Sequence, residues 1–368
     1  MNLVLEHVNT LPARTWNRIN MNDTTIHAQI PEIRPYPQDG VISEIPAGVS
    51  VSFNFDKSGL QPLEIETGMG TAAQEFVAAH HNSGAYIRIA AGTHAEKPLY
   101  LTYHIDQDHP AVVDENTIIA EEDSELTVVM SYSSDDTFSG FHGGETIITA
   151  GKNAVVHLIQ VQLLNSNCCH FDDVGAVTAE NAEINIVQAE LGGQNALAGC
   201  KVLLDGADSR LNIDSIYFGD HSRTIDMNYV AKHIGKRTKS EIHLSGALLN
   251  ESQKVFRGTI DFVKGAVNAV GHESEYNLLF SPKVKSRTAP LILCGEENVE
   301  GQHAASTGRI DAEKLFYLMS RGLSEFDAKK LMIEAQFEPA TQKIPDDDLR
   351  AAISDYVKKG LNQIESIS

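Results

Sequence analysis

The 368-residue chain is poor in cysteine, in aromatic residues and in positive charge. Its four cysteines, Cys168, Cys169, Cys200 and Cys294, include no C-x-x-C pair, so a conventional four-thiolate zinc or iron–sulfur site is absent. Met1 to Trp16 holds no basic stretch followed by an apolar run, which argues against a signal peptide. Without an export signal, so few cysteines point to a reducing compartment. No apolar run approaches the roughly 20 residues a bilayer span requires. Twenty-nine basic against 50 acidic residues leave a net charge of -21, a field that repels both a phosphate backbone and an anionic leaflet. G-x-S-x-G, G-x-x-x-x-G-K-[ST] and G-x-G-x-x-G are all missing, so the chain supplies no nucleotide site of its own. These absences describe a soluble, acidic, cytoplasmic protein that binds neither nucleic acid nor membrane.

What is present is a repeat. Four segments share two or three aliphatic positions, a polar turn holding Gly, Asn or Asp, and then alternating aliphatics. They start at Ile118, Ile148, Val177 and Leu203, at intervals of 30, 29 and 26 residues. Such a period suits the stacked coils of a solenoid. Within a unit the pattern has period 2, as in Leu211, Ile213 and Ile216 bracketed by Asn212 and Asp214, which reads as a strand with one face buried. No long helical pattern interrupts Ile87 to about Ile260, which argues against wound βαβ units. A large β-sandwich competes with a β-helix, and the near-even spacing favours the latter.

The ends differ from this body. Residues 1–83 are mixed and broken by Pro31, Pro35, Pro37 and Pro46, with one short helix expected from Thr71 to His81. Three amphipathic helices close the chain. Asp311 caps the first, which carries Leu315, Phe316, Leu318 and Met319 and ends at Gly322. Ser324 and Asp327 form an S-x-x-D capping signal for the second, which runs through Phe337. The third follows Pro345, with Leu349, Ala352, Ile353, Tyr356 and Val357 on one face. The expected architecture is mainly β: a right-handed parallel β-helix core over 84–307, a helical domain over 308–368 and a short mixed N-terminal region. The helices cannot bury their stripes alone and need each other, the solenoid or a partner.

Candidate chemistry is sparse. Cys168-Cys169-His170 could form a soft metal site or a sulfur-accepting thiol pair. Adjacent strand residues face opposite ways, however, so one core and one surface cysteine is the simpler reading. Cys200 reads as solenoid core. The fifteen histidines never form H-x-x-x-H or H-x-H and read singly as structural, and Asp135-Asp136 and Asp172-Asp173 read as solvated turn pairs.

The C-terminal third adds a resemblance. Phe-Arg-Gly-Thr-Ile (256–260), Glu-Tyr-Asn-Leu-Leu-Phe-Ser (275–281) and Arg-Thr-Ala-Pro-Leu-Ile-Leu (287–293) are followed by Gly-Gln-His-Ala-Ala-Ser-Thr-Gly-Arg-Ile-Asp (301–311) and Leu-Phe-Tyr-Leu-Met-Ser-Arg-Gly-Leu (315–323). In this order and spacing the series resembles the SufB/SufD family of the SUF iron–sulfur cluster assembly machinery. Leu11 to Trp16 is similar to that family's N-terminal Pro…Trp segment.

The resemblance implies a non-enzymatic scaffold that pairs with a SufB-like protein, or with a second copy of itself when alone. It also implies binding to a SufC-like ATPase through the C-terminal helices, with Leu315, Phe316, Tyr317, Arg321, Gly322 and Phe326 as partner-binding residues. SufB-type members carry a cysteine where this chain has Glu275 and a His-Glu pair where it has His303-Ala304, so the chain resembles SufD. His303 is then the expected metal ligand, holding iron or a cluster transiently with the partner, and no cofactor is permanently bound. A cysteine frequent in SufD is replaced by Gly301, and Cys294 is a weaker substitute candidate, as are Cys168 and Cys169. Rival readings are an adaptor that binds the ATPase without touching a cluster, and a β-helix carbohydrate-active enzyme such as a polysaccharide lyase.

Overall fold

The structure, a computed structural model, describes residues 1–14, 17–38, 40–53, 65–309 and 311–365. Thr15 and Trp16 of the Pro…Trp segment lie outside the described residues. A hairpin of β1 (Asn2–Val8) and β2 (Thr24–Gln29) precedes β3 (Val49–Phe53) and α1 (Thr71–His80), the last matching the helix expected there. Sixteen strands follow. The even-numbered ones are β4 (Ala85–Ile89), β6 (Ala111–Ala120), β8 (Phe141–Ala150), β10 (Cys169–Thr178), β12 (Asn195–Leu204), β14 (Thr224–His233), β16 (Gln253–Phe262) and β18 (Lys285–Cys294). The odd-numbered ones are β5 (Leu99–Ile105), β7 (Glu125–Ser134), β9 (Val155–Leu163), β11 (Glu183–Glu190), β13 (Arg210–Gly219), β15 (Lys239–Leu248), β17 (Val270–Leu279) and β19 (Glu300–Arg309). Three helices close the fold: α2 (Ala312–Ser320), α3 (Glu325–Thr341) and α4 (Asp347–Glu365).

Even strands stack in chain order in one parallel sheet and odd strands in another, with β3 added antiparallel at the β4 edge. The chain therefore winds as a parallel β-solenoid rather than a sandwich. The polar turns of the repeat are the corners between the sheets. Asp123, Asn153, Asn181 and Asp208 take left-handed backbone conformations there, with φ of 56°, 56°, 56° and 62°, which Asn and Asp tolerate best among side-chain-bearing residues. They also stack: Asn153 Nδ2 donates to Asp123 Oδ1 at 2.7 Å, and Asn181 Nδ2 to Asn153 Oδ1 at 2.9 Å.

Register corrects the repeat by one residue. Ile118 pairs with Ile148 and Val177 with Leu203, but Ile148 pairs with Ala176. Counting by similar residues cannot see such a step, because turn length sets register and a slip of one exchanges the faces. Face assignment also differs for Ile216. Leu211 and Ile213 point into the lumen, whereas Ile216 packs outward beneath the C-terminal helices.

Both solenoid faces are in fact covered over much of their area. α1 and the β1–β2 hairpin pack on the even sheet through Phe76, Val77, Leu3, Leu5 and Ile26, against Val113, Phe141 and Phe171. On the odd sheet, Ile333 and Phe337 of α3 and Ile353, Val357 and Leu361 of α4 pack over Val161, Val187, Ile216 and Phe218. At about 1.5–3 kcal/mol per large buried side chain, these contacts anchor α3 and α4 to the solenoid. α3 is thus already buried at Ala328, Ile333 and Phe337 within this chain, and Phe326, expected to bind a partner, is half-buried in the same cluster. α2 is different. Asp311 caps it through Glu313 N and Lys314 N, Gly322 follows its end at φ 100°, and no residue on it is buried.

Candidate functional site

The solenoid ends in a bare rung. β18 and β19 each pair on one side only among the described residues, with β16 and β17 respectively, and nearly every residue of β19 is exposed. Among the described residues, two parallel strand edges at one open end leave N–H and C=O groups to which a further strand can pair. His303 stands on this rung. Alternation along β17 buries Gly271, Glu273, Glu275 and Asn277 on the lumenal side, and in-register pairing of Glu273 with His303 carries that side up to the histidine. Glu273 reaches across the lumen to β16, where a Cβ on Gly258 would lie 2.0 Å from its Oε2. The rung above Gly258 holds Pro290, so His303 and Pro290 occupy the corresponding positions at the mouth.

Below the mouth lies an ion pair sealed from solvent. Lys254 Nζ donates to Glu275 Oε1 at 2.5 Å, to Thr288 Oγ1 at 2.9 Å and to the Arg287 carbonyl at 3.3 Å. Tyr217 donates to Glu275 Oε1 at 2.7 Å and Thr288 to Glu275 Oε2 at 2.5 Å. Burial works to raise the Glu275 carboxyl, yet the Lys254 ammonium and these hydrogen bonds hold it below its ordinary value. Glu273 fares differently: burial, then the charge of Glu275, push its carboxyl up to about 8. Glu275, at the position where SufB-type chains carry cysteine, is fully engaged. Ala304 faces outward, and Gly301 faces the lumen, where a Cβ would meet Phe262 and Ile292 at 3.0 and 3.1 Å.

The structure does not gather the other expected residues here. Cys294 is exposed at the end of β18, four residues beyond Pro290. Cys168 is core, and burial raises its thiol; Cys169 is half-buried on the other face, with burial pushing its thiol up to about 12. Neither is a ready thiolate nucleophile. Cys200 is core. α2 presents an exposed apolar face, with Phe316, Tyr317 and Met319 73%, 56% and 40% exposed; Arg321 lies 5.2 Å from the centroid of the Tyr317 ring. Leu315 is half-buried.

Two readings of isolated residues are overturned inside the solenoid. Asp172 and Asp173 are not solvated turn residues: both are buried on β10, and burial raises both carboxyls far above the usual range. His142 and His170 are not solitary. Their Nδ1 atoms face each other at 2.7 Å, His142 Nε2 bonds Asp114 Oδ1 at 2.6 Å, and His170 Nε2 lies 3.2 Å from Glu190 Oε2. The signal that could have found this pair is their spacing of 28 residues, one turn of the solenoid. Among the described residues, no group of three or more His, Cys, Asp and Glu side chains is arranged to hold a metal ion by itself, and no helix is long and apolar enough to cross a membrane.

Comparison with known proteins follows the same geography. The family described as SUF system FeS cluster assembly, SufBD core domain, matches residues 103–336, which include almost all of the solenoid and most of α3. The chain is 27% identical over 316 residues to the iron–sulfur cluster assembly protein SufD of Escherichia coli, covering 83% of this chain and 73% of that one. It is 25% identical over 281 residues to SufD of Bacillus subtilis, covering 76% and 64%. SufB of Bacillus subtilis is 24% identical over 266 residues, covering 72% and 57%. The chain thus spans less than two thirds of the length of either Bacillus subtilis relative.

Proposed function

Because the chain belongs to the SufB/SufD family of the SUF system for iron–sulfur cluster assembly, and is SufD-like within it, we propose that it is a non-enzymatic scaffold subunit of a cytoplasmic cluster-assembly complex. The observation that carries this reading is the open rung, where two free strand edges and a lumen-facing His303 meet at one end. The edges of β18 and β19 pair with a SufB-like subunit or, when the chain is alone, with a second copy. His303 and a partner thiolate then hold iron or a nascent cluster transiently. A neutral imidazole suits that exchange, since it binds iron without contributing charge.

The exposed face of α2 is the docking element for a SufC-like ATPase, with Phe316 and Tyr317 as anchors. ATP hydrolysis belongs to that partner, this sequence carrying no G-x-x-x-x-G-K-[ST] motif of its own. Movement of the partner bound at α2 is transmitted to the rung.

The engaged state of Glu275 supports one alternative, an adaptor that binds the ATPase without handling a cluster. Anaerobic co-expression with the SufB-like and SufC-like proteins separates the two. The scaffold reading expects a three-component assembly carrying acid-labile sulfide and iron, with His303→Ala lowering the metal content while the assembly keeps its mass. Full cluster content in the variant assigns the chain to the adaptor role. Failure to bind either partner removes both readings.

A further inference from the structure

The lumen just below the mouth contains one carboxyl more than its cations can serve. Glu273 and Glu275 lie two residues apart on the lumenal side of β17, and among the described residues the ammonium paired at this level is that of Lys254, on Glu275. The three N–H protons of that ammonium are taken by Glu275, Thr288 and the Arg287 carbonyl. Glu273 is 5% exposed, and a carboxylate so enclosed is costly unless a cation compensates it. The wall above it is the last rung, where its register partner is His303. Room for the carboxyl exists because Gly258 presents no side chain opposite.

We propose that Glu273 is a second ligand from this chain, beside His303, for a divalent transition-metal cation entering the lumen at the mouth. The inference rests on the reading of His303 as a metal-handling residue. Neighbouring rungs of a parallel ladder lie about 4.8 Å apart, a separation that two ligands of one ion can span when their side chains share a face. Imidazole nitrogen with carboxylate oxygen is a donor set for Fe(II) and its substitute Co(II), and it differs from the thiolate set that a cluster prefers. This chain would thus supply the nitrogen and oxygen side of an iron-loading site, and sulfur ligands would come from across the interface. Glu275 is excluded as a ligand by its ion pair.

The test uses the full chain and Co(II) as the probe, followed by its visible absorption under anaerobic conditions. A His272→Ala background removes the half-buried imidazole of the outer sheet face, beside Glu241 and Glu300, as a competing single ligand for the probe. The expected result is one bound Co(II) with a dissociation constant below about 1 mM. Glu273→Gln and His303→Ala each weaken it about tenfold or more, and the double variant is little worse than either, because both act on one site. Unaltered binding in Glu273→Gln with weakened binding in His303→Ala overturns the inference and leaves the function of His303 standing. Unaltered binding in both removes the mouth as a metal site altogether. Absence of binding to the parent chain overturns the two-ligand inference, while the co-expression experiment still decides the scaffold role. Thermal melting of Glu273→Gln verifies that the variant is folded.

Discussion

Arg223, buried in the corner that leads into β14, donates from Nη2 to the hydroxyl of Tyr356 on α4 at 3.1 Å, and that hydroxyl donates onward to the Leu164 carbonyl at 3.0 Å. The same guanidinium pairs with the buried Asp220 at 2.9 Å and donates to the Phe218 carbonyl at 2.8 Å. One side chain thus satisfies a solenoid corner and fastens the last helix to it. The helical end is in this way held in a fixed relation to the rungs, which any transmission from α2 to the mouth requires.

Removing that fastening should be costly. Arg223→Met leaves Asp220 buried without its guanidinium and is expected to destabilise the chain by about 3–5 kcal/mol. Tyr356→Phe loses only the bridging hydroxyl and should cost about 1–2 kcal/mol. Urea unfolding measures both, and limited proteolysis should show earlier cleavage around α4. A Tyr356→Phe protein as stable and as resistant as the parent would show that the apolar contacts of Ile353, Val357 and Leu361 suffice.

Phe316 should matter for binding and hardly at all for folding. At 73% exposure, Phe316→Asp is expected to change stability by no more than about 0.5 kcal/mol. Its affinity for the SufC-like ATPase should fall at least about thirtyfold, the loss expected when an aromatic anchor is removed. Calorimetry on the purified pair checks this, and an unchanged affinity would remove α2 as the docking element.

Acid sensitivity should be traceable to His233. Its Nδ1 and Nε2 face the hydroxyls of Thr238 and Ser240 at 2.8 and 2.9 Å, and burial pushes its pKa down to about 4 from 6.5. The unfolded chain therefore takes up a proton that the folded chain refuses. Stability from this residue is complete above pH 6.5, falls as the pH drops toward 4, and then levels off. Between pH 7.5 and 5 the loss is about 2 kcal/mol. His233→Asn should flatten this part of the pH profile in denaturant unfolding, and an identical profile would place the acid sensitivity elsewhere.

Glu273 should show the opposite slope. With its carboxyl raised to about 8 against 4.5 in the ordinary state, the folded chain keeps a proton that the unfolded chain releases. Its contribution is complete below pH 4.5 and is lost as the pH rises toward 8. Glu273→Gln should therefore be more stable than the parent at pH 8, on the order of a few kcal/mol, and similar to it near pH 4.5. Melting curves at the two pH values decide the point. A stabilising substitution at the mouth of the lumen would mark Glu273 as a residue kept at a cost to the fold.

Local signals account for most of what the sequence disclosed. Period-2 alternation, Asn and Asp at left-handed corners, and the caps at Asp311 and Ser324 depend on residues within a few positions of one another. The solenoid, α1 and the three C-terminal helices were legible for that reason. The family resemblance lay in motifs of the same short range, and it marked His303 before any contact was known. Coverage was not legible. α2 and α3 both carry amphipathic stripes, and only packing shows that α3 spends its stripe on the solenoid while α2 leaves its own free.

By itself, then, the sequence determined the kind of fold and the identity of its last-rung histidine. The tertiary structure decided which distant residues meet: His142 with His170, Arg223 with Tyr356, and Glu273 beneath His303. The physical reason is register. Each rung aligns residue by residue on the one below while the corners vary in length, so strand pairing and not spacing along the chain fixes which residues meet and on which face. Ile148 pairing with Ala176 rather than Val177 is one such case, and on the last rungs the same in-register pairing sets Glu273 beneath His303.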